Sequence, residues 1–143
     1  MLGDRSKAIT ITKAEAADLV DLSDFIKPFV DSGEILPRTY DELEYLLETF
    51  FIARLDGRLV GCAALEMYSK KLCEIRSLAV APGAQGLGIG KGLVAACVDL
   101  AAREGVYEIM AISSAEEFFK SCGFDFTLPR QKRAFFLQTR DEM

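Results

Sequence analysis

A glycine-rich segment joins a strand pattern to an amphipathic helix pattern in the second half of this 143-residue chain. The strand pattern covers residues 73–80, and the helix pattern covers about 88–103, with apolar residues repeating along one side. Between them the sequence reads Ala81-Pro82-Gly83-Ala84-Gln85-Gly86-Leu87-Gly88. Glycine adopts positive φ and lets backbone N–H groups approach a ligand, while a helix N-terminus adds about half a positive charge. The segment therefore predicts a strand, a tight turn and a helix that together bind an anion such as a phosphate.

Two familiar phosphate-binding motifs do not fit this segment. A Walker loop needs G-x-x-x-x-G-K-[ST], but Gln85 stands where the first glycine would precede Gly90-Lys91, and Gly92 replaces the hydroxyl that binds magnesium. A dinucleotide fingerprint, G-x-G-x-x-G, fails because the third glycine position holds Lys91 or Leu93. The spacing therefore excludes a P-loop site and argues against NAD.

The rest of the chain predicts one mixed α/β domain (α+β) built around a mostly antiparallel sheet. Strand and helix patterns follow the order β-α-α-β-β-β-α-β-α-β-β, and no linker interrupts them. The predicted strands cover residues 9–12, 51–55, 59–65, 73–80, 107–112, 124–126 and 134–137, and the predicted helices cover 14–29, 39–50, 88–103 and 115–121. Asp56-Gly57 favours a type I′ hairpin turn, and Thr39-x-x-Glu42 is a capping box that opens a helix. We expect a single domain over residues 1–143, with helices flanking a central sheet.

The composition excludes several classes of chemistry. The chain has no histidine, which excludes a Ser-His-Asp triad, a Cys-His pair and the common histidine-containing zinc sites. Its four cysteines lie far apart and indicate buried free thiols. Lys and Arg total 17 against 22 for Asp and Glu, so the formal net charge is −5 and nucleic acid is not an expected partner. No stretch approaches the ~18 apolar residues of a membrane span and the N-terminus lacks a signal-peptide core, so we expect a cytoplasmic protein that needs no metal.

Residues 85–90 read Q-x-x-G-x-G, which resembles the acetyl-CoA pyrophosphate loop of the GNAT superfamily of N-acetyltransferases. The order of elements resembles the GNAT fold over nearly the whole chain. The resemblance implies that acetyl-CoA is the co-substrate, with its pantetheine arm paired to the backbone of Leu78, Ala79 and Val80. It also implies that the pyrophosphate is held by the backbone amides of Gln85, Gly86, Leu87, Gly88, Ile89, Gly90 and Lys91. Many relatives place a tyrosine acid four residues before the glycine of a Gly-Phe pair; this chain has Phe119 there, which we expect to contact the cofactor instead.

The acetyl transfer that this resemblance implies needs a general base, and without histidine a carboxylate is the first choice. Strand alternation predicts that Glu74, Arg76, Leu78 and Val80 share one face. Glu74 resembles the strand glutamate that acts as general base in the histone acetyltransferase branch; the alternative is a solvated glutamate paired with Arg76 or a lysine. A backbone N–H near Leu78 is expected to stabilise the thioester oxygen. Ser113, at the end of the next strand, is a candidate to relay a proton to the thiolate or to cap the following helix.

Flanking segments of the chain resemble the acetyltransferase domain of the N-acetylglutamate synthases, in a stand-alone form. These segments are residues 35–39, 62–65, 118–119 and 128–132. The resemblance implies acetylation of the α-amino group of L-glutamate, the first step of arginine biosynthesis. The resemblance also implies that Arg38 and Arg140 bind substrate carboxylate, and Arg76 is a further candidate because it is expected to share a face with Glu74. Arginine suits this role because it binds carboxylates in a bidentate manner.

Other interpretations stay open at this point. The same chemistry on another amine would take glutamine, a polyamine or a protein amine, although a polyamine site needs carboxylates in place of Arg38 and Arg140. The chain is alternatively a non-catalytic acetyl-CoA-binding module. The expected partners are small molecules, and a homodimer is compatible with the resemblance, because dimers are common in the superfamily.

Overall fold

The computed structural model describes residues 8–126 and, beyond them, residues 135, 137 and 139. Its strands and helices in chain order are β1 (Ile9–Lys13), α1 (Leu19–Asp31), α2 (Tyr40–Leu46), β2 (Phe50–Leu55), β3 (Arg58–Met67), β4 (Leu72–Val80), α3 (Ile89–Arg103), β5 (Glu108–Ala111) and α4 (Glu116–Ser121). The chain divides into two compact units, residues 1–112 and 113–143. Organisation as a single domain stays a prediction. None of the helices described is long and apolar enough to cross a lipid bilayer.

The first unit contains a five-stranded sheet in the order β1-β2-β3-β4-β5. β1 to β4 pair as antiparallel neighbours, and β5 pairs parallel to β4 after the crossover through α3. Asp56 and Gly57 join β2 to β3 with φ of 52° and 86°, the pair of positive values that a type I′ turn requires. The predicted hairpin and the predicted mixed, mostly antiparallel sheet are confirmed.

Helices cover both faces of this sheet. Apolar residues from α1, α2 and the sheet form one buried cluster, which includes Leu22, Ile26, Leu43, Phe50 and Ile52; we call this side the α1/α2 face. The other side, which we call the α3 face, lies so close to α3 that a β-carbon at Gly92 would be 2.5 Å from Cδ1 of Ile11. Glycine at position 92 therefore lets the helix approach the sheet closely.

A β-bulge interrupts the pairing of β3 with β4. Ala79 pairs with Cys62, but Arg76 pairs with Ala64, so β4 carries one residue more than β3 between these two pairs. Ser77 lies in the bulge with φ of 55°, a positive value that is uncommon outside glycine. The strand therefore changes its alternation at this point.

The bulge changes which side chains of β4 share a face. Paired residues of an antiparallel ladder point to the same side, so Glu74, Arg76 and Ala79 lie on the α1/α2 face, whereas Val80 pairs with Gly61 on the α3 face. The prediction that Glu74, Arg76, Leu78 and Val80 share one face is therefore wrong beyond Arg76. An inserted residue shifts the period of two by one position, and strict alternation does not allow for it.

Two predicted helix boundaries also differ from the structure. α1 begins at Leu19 instead of residue 14, because Ala16–Asp18 form a 3-10 turn in which the Asp18 carboxylate accepts the backbone N–H of Glu15 at 2.8 Å. The helix that the Thr39 capping box opens is confirmed, but Phe50 is the first residue of β2 rather than part of the helix. Phe50 is fully buried at the start of β2, and a buried strand residue is apolar just as a residue in the apolar stripe of a helix is.

Two short strands were predicted near the C-terminus. Phe124 lies instead in the turn that ends α4, since its backbone N–H donates to the carbonyl of Phe119 at 3.0 Å after Gly123 takes φ of 93°. This helix-ending turn accounts for the glycine and leaves residues 124–126 outside any strand. The strand predicted over 134–137 lies outside the continuously described residues.

Candidate active site

Charged and polar side chains gather on the α1/α2 face where β3 and β4 lie side by side. They come from the segment before α2, from β3, from the turn after β3 and from β4. We call the following six residues the polar cluster: Arg38, Glu66, Tyr68, Glu74, Arg76 and Ser77. Glu66 and Glu74 are direct cross-strand partners, and each of them contacts an arginine.

Glu74 is the buried carboxylate of the polar cluster. Only 6% of the residue is exposed, and no other charged residue in the described part of the chain is as buried. The Tyr68 hydroxyl donates to Glu74 Oε1 at 2.6 Å, and Arg76 Nη1 lies 3.9 Å from the same oxygen. Burial of a carboxylate favours its acceptance of a proton, whereas a hydrogen-bond donor and a nearby cation stabilise its charged form. The structure thus brings together Glu74 and Arg76 as predicted.

The two arginines of the polar cluster share a carboxylate oxygen. Arg38 Nη2 lies 3.3 Å from Glu66 Oε1, and Arg76 Nη1 lies 3.8 Å from that atom. Arg38 Nε also donates to Ser77 Oγ at 3.1 Å, which ties the guanidinium to the bulge of β4. Arg38 and Arg76 are therefore neighbours, as their predicted role requires. The third predicted substrate ligand, Arg140, lies outside the described residues.

The charges of the polar cluster balance, since two arginines face two glutamates. Burial and the hydrogen bond to Glu74 raise the pKa of Tyr68, so its hydroxyl stays protonated and acts as a donor at neutral pH. Burial lowers the pKa of Arg76, but the Tyr68 hydroxyl and the charges of Glu74 and Glu66 outweigh it and raise that pKa overall. Arg76 is therefore a permanent cation beside the carboxylates.

The glycine-rich segment leaves a row of backbone amides without partners. Pro82–Ala84 form a 3-10 turn, Gly86 and Gly88 have φ of 82° and 81°, and Gly88 is the N-cap of α3 without a side-chain cap. Within the described chain, the amides of residues 86–91 donate to no backbone or side-chain acceptor. Amides at a helix N-terminus favour an anion. The segment therefore fits the pyrophosphate that the sequence predicts there.

Among the described residues, no strand pairs with the β5-facing edge of β4 beyond Ile75, and we call this stretch the open edge. β5 pairs with β4 only as far as Ile75, opposite Ala111. Residues 76–80, which include the predicted cofactor contacts Leu78, Ala79 and Val80, extend beyond the reach of β5. An extended ligand can pair with the backbone of such an edge.

Two predicted site residues lie in the second unit of the chain. Ser113 Oγ accepts the backbone N–H of Ala115 at 3.0 Å, and Ala115 rather than a serine is the N-cap of α4. The Phe119 ring makes edge contacts with Phe118 and Phe124, at centroid distances of 5.1 and 5.4 Å. The expectation that Ser113 caps the helix is wrong, because the Ser113 hydroxyl stabilises the turn before α4 instead of capping the helix itself. Its relay role and the cofactor contact of Phe119 stay predictions.

Three of the four cysteines are buried, whereas Cys122 is partly exposed, so the prediction of a buried thiol is wrong for that residue. Cys62, Cys73 and Cys97 are buried and unpaired, which confirms the prediction for these three thiols. Burial raises the pKa of Cys62 to about 12, and burial together with the neighbouring Cys73 raises that of Cys97 to about 12. Within residues 8–126, no group of three or more Asp, Glu or Cys side chains is arranged to hold a metal ion.

Sequence reasoning missed Glu66, Tyr68 and Ser77. A signal for Glu66 exists, because it is the first charged residue after the apolar run of β3. Its approach to Arg38 and Arg76 depends on the register of β3 against β4, which the sequence does not supply.

Comparison with known sequences assigns this chain to a protein family. A model of the Acetyltransferase (GNAT) family matches residues 16–124. An amino-acid acetyltransferase of Neisseria meningitidis is 36% identical over 118 residues, which cover 81% of this chain and 27% of that protein. The chain thus spans little more than a quarter of the length of this curated relative.

Solved structures agree with the sequence match. N-acetylglutamate synthase from Neisseria gonorrhoeae, complexed with coenzyme A and N-acetyl-glutamate, has a TM-score of 0.73 and 31% identity over 82% of this chain and 28% of that chain. Rv2747 from Mycobacterium tuberculosis, in complex with CoA and NLQ, has a TM-score of 0.74 and 26% identity over 83% of this chain and 73% of that chain. The resemblance that the glycine-rich segment suggested is confirmed, and the chain belongs to the acetyltransferase (GNAT) family.

Proposed function

We propose that the chain is an acetyl-CoA-dependent N-acetyltransferase that acts on the α-amino group of an amino acid, with L-glutamate as the first candidate. The observation that carries the proposal is the placement of Glu74 on β4. The same strand leads from this buried carboxylate, past the bulge and the open edge, to the amides at the start of α3. The proposed proton acceptor thus lies on β4, and the proposed anion site follows the end of the same strand.

Acetyl-CoA is the substrate that this strand would orient. The amides of residues 86–91 bind its pyrophosphate, and the edge at Leu78, Ala79 and Val80 pairs with its pantetheine arm. Gln85 is the remaining member of the predicted set, and its amide donates to the carbonyl of Pro82 at 3.5 Å. The relatives whose structures contain coenzyme A support the assignment.

The reaction is a direct transfer. Glu74 accepts a proton from the substrate ammonium through a water molecule, and the neutral amine then attacks the thioester carbonyl. The C–N bond forms as the C–S bond breaks, and the second proton that the amine nitrogen loses as the amide forms passes through water to the leaving thiolate, which gives the free thiol of coenzyme A. A backbone N–H in the bulge, near Leu78, stabilises the negative charge that develops on the carbonyl oxygen.

Arg38 and Arg76 would bind substrate carboxylate. Their guanidinium groups already hold the Glu66 carboxylate at 3.3 and 3.8 Å, which demonstrates that a carboxylate oxygen fits between them. L-glutamate is the first candidate because N-acetylglutamate synthase is a relative, and that activity would belong to arginine biosynthesis. Arg140 is the predicted ligand for a second carboxylate, and a homodimer stays a prediction.

The charge balance of the polar cluster favours a second candidate, an amino acid with a neutral side chain such as glutamine. Glu66 offsets the charge of one arginine and Glu74 offsets that of the other, so the polar cluster has no net charge. The side-chain carboxylate of glutamate would add a negative charge beyond that of the α-carboxylate. Glutamine keeps the α-amino and α-carboxylate groups of glutamate without the extra charge. The substrate test therefore has to compare these two amino acids directly.

The test measures release of the coenzyme A thiol from acetyl-CoA against the twenty amino acids and a set of polyamines. We expect glutamate or glutamine to give the highest kcat/KM. Release with polyamines alone would overturn the substrate assignment. Binding of acetyl-CoA without release against any amine would favour the non-catalytic module.

Replacing Glu74 tests the base. We expect Glu74→Gln to lower kcat at neutral pH by about 10²-fold, within the range that general bases contribute. The loss should shrink at high pH, where the amine is already neutral. Glu108→Gln, an exposed glutamate on the neighbouring β5, is the matched control and should leave kcat unchanged. A pH profile of Glu74→Gln parallel to that of the parent chain would contradict the assignment.

A further inference from the structure

Tyr68 is in direct contact with the proposed base, and no predicted role covers it. It follows β3 in the turn to β4, where its backbone N–H donates to the carbonyl of Leu72 at 3.1 Å. Its hydroxyl lies 2.6 Å from Glu74 Oε1, the distance of a strong charge-assisted O–H···O⁻ hydrogen bond. Within the described residues this is the only side-chain hydrogen bond that Glu74 accepts.

The surroundings of Glu74 make this bond important. Desolvation disfavours the charged form of a buried carboxyl, and only hydrogen bonds or cations offset it. Arg76, on the same strand, is 3.9 Å from Oε1 and so lies beyond hydrogen-bond distance. Glu66 faces Glu74 from β3 with a negative charge, and Arg38 reaches the group only through Glu66. On β5 the neighbour in register is the apolar Met110.

We propose that Tyr68 is a positioning residue that stabilises the negative charge of the buried Glu74 carboxylate and holds its Oε1, so that Oε2 is the oxygen that accepts the proton. The hydroxyl occupies one oxygen and thereby fixes the rotation of the carboxylate. Its contribution to catalysis rests on the proposed function, because it acts only through Glu74. The bond to Glu74 itself does not depend on which amine is acetylated.

Exposure gives the tyrosine a second property. Tyr68 is 47% exposed, whereas Glu74 is 6% exposed. The hydroxyl therefore links a buried carboxylate to a side chain that borders solvent.

The experiment compares the parent chain with Tyr68→Phe by two measurements. The first follows the protonation of Glu74 by NMR of carboxyl-labelled glutamate, with the Glu74 signal assigned by its absence in Glu74→Gln. The second is the pH profile of kcat/KM. We expect the Glu74 titration midpoint and the acidic limb of the profile to move to higher pH together, by about 1–2 pH units, as for loss of one hydrogen bond to a buried charge.

Two further variants separate the hydroxyl from packing. Tyr68→Leu removes the ring as well and should give the same shift, while Tyr45→Phe, on the exposed side of α2, should give none. An unchanged Glu74 midpoint in both Tyr68 variants would overturn the proposal. A shifted midpoint with an unshifted activity profile would support the role of Tyr68 and overturn Glu74 as the base, so the two failures are distinguishable.

Discussion

Glu66 sets the charge that a substrate would meet at the polar cluster. Its Oε1 contacts both Arg38 and Arg76, so one side chain of the protein occupies the position that we assign to a substrate carboxylate. A substrate must therefore share the arginines with Glu66 or displace it. The side chain that limits binding of an acidic amino acid is thus itself acidic.

Removal of this charge should change the preference between substrates. We expect Glu66→Gln to lower the KM for glutamate relative to that for glutamine by about two- to fivefold, since a partly exposed ion pair contributes up to ~1 kcal/mol. The measurement is kcat and KM for both amino acids in the same buffer, with Glu108→Gln as the control. An unchanged ratio of the two KM values would place the acceptor carboxylates away from Glu66.

Residue types alone predicted part of this site. Acetyl transfer needs a base, and strand alternation places the candidate base Glu74 on the same face as Arg76. Arg38 follows from a resemblance in the segment before α2. Tyr68 did not follow, because its hydroxyl reaches Glu74 across a turn whose geometry the sequence does not define. Contacts within one strand are thus easier to predict than contacts that depend on register or on a turn.

At the scale of elements, the turn into α3 requires a specific backbone conformation. Gly88 is the N-cap of α3 with φ of 81°, and a β-carbon there would meet no atom within 4 Å. Any side chain would therefore be strained by the backbone angle rather than by lack of space. The strain would act on the amides that we assign to the pyrophosphate.

Gly88→Ala should therefore weaken acetyl-CoA binding. A residue with a β-carbon in the left-handed region costs roughly 1–2 kcal/mol, so we expect the Kd to rise by about five- to thirtyfold if the loop relaxes from its present angles. The measurement is isothermal titration with acetyl-CoA. Gly83→Ala is the matched control, because Gly83 has open space and no positive φ. Equal Kd values for the two variants would contradict the role of the loop.

Element boundaries were predictable where a local signal exists. The capping box at Thr39 and the Asp56-Gly57 turn appear in the structure as predicted. The bulge at Ser77 was not predictable, because the residue types of β4 do not show where the extra residue is inserted. That insertion moves side chains beyond Arg76 to the face opposite the one that strict alternation predicts.

At the scale of the whole molecule, the sheet of the first unit is covered on both faces. Leu22 on α1 and Leu93 on α3 are both completely buried, and they lie on opposite sides of the sheet. Because one sheet joins the two layers, loss of either should weaken the same cooperative unit.

We expect Leu22→Ala and Leu93→Ala each to lower the free energy of unfolding by about 2–5 kcal/mol, the usual cost of a large-to-small change in a core. Val20→Ala is the control, because this residue of α1 is 59% exposed and should change stability by less than about 0.5 kcal/mol. Chemical denaturation followed by circular dichroism measures the three variants. Two separate transitions in either core variant would show that the two layers unfold independently.

The architecture of the first unit was predictable because the apolar patterns that mark its helices and strands repeat over long segments. The apolar stripes of α1 and α3 and the antiparallel order of β2, β3 and β4 appear as expected. The net charge of −5 was less informative, since the polar cluster is locally neutral and the start of α3 presents amides. Averages over the chain therefore say little about a site of a few residues.

The buried thiols have a consequence for a protein whose proposed reaction produces a free thiol at every turnover. With a pKa of about 12, Cys62 and Cys97 present almost no thiolate at neutral pH. Thiol–disulfide exchange requires thiolate and access, and both are lacking at these positions. A disulfide formed from released coenzyme A would therefore not exchange with Cys62 or Cys97.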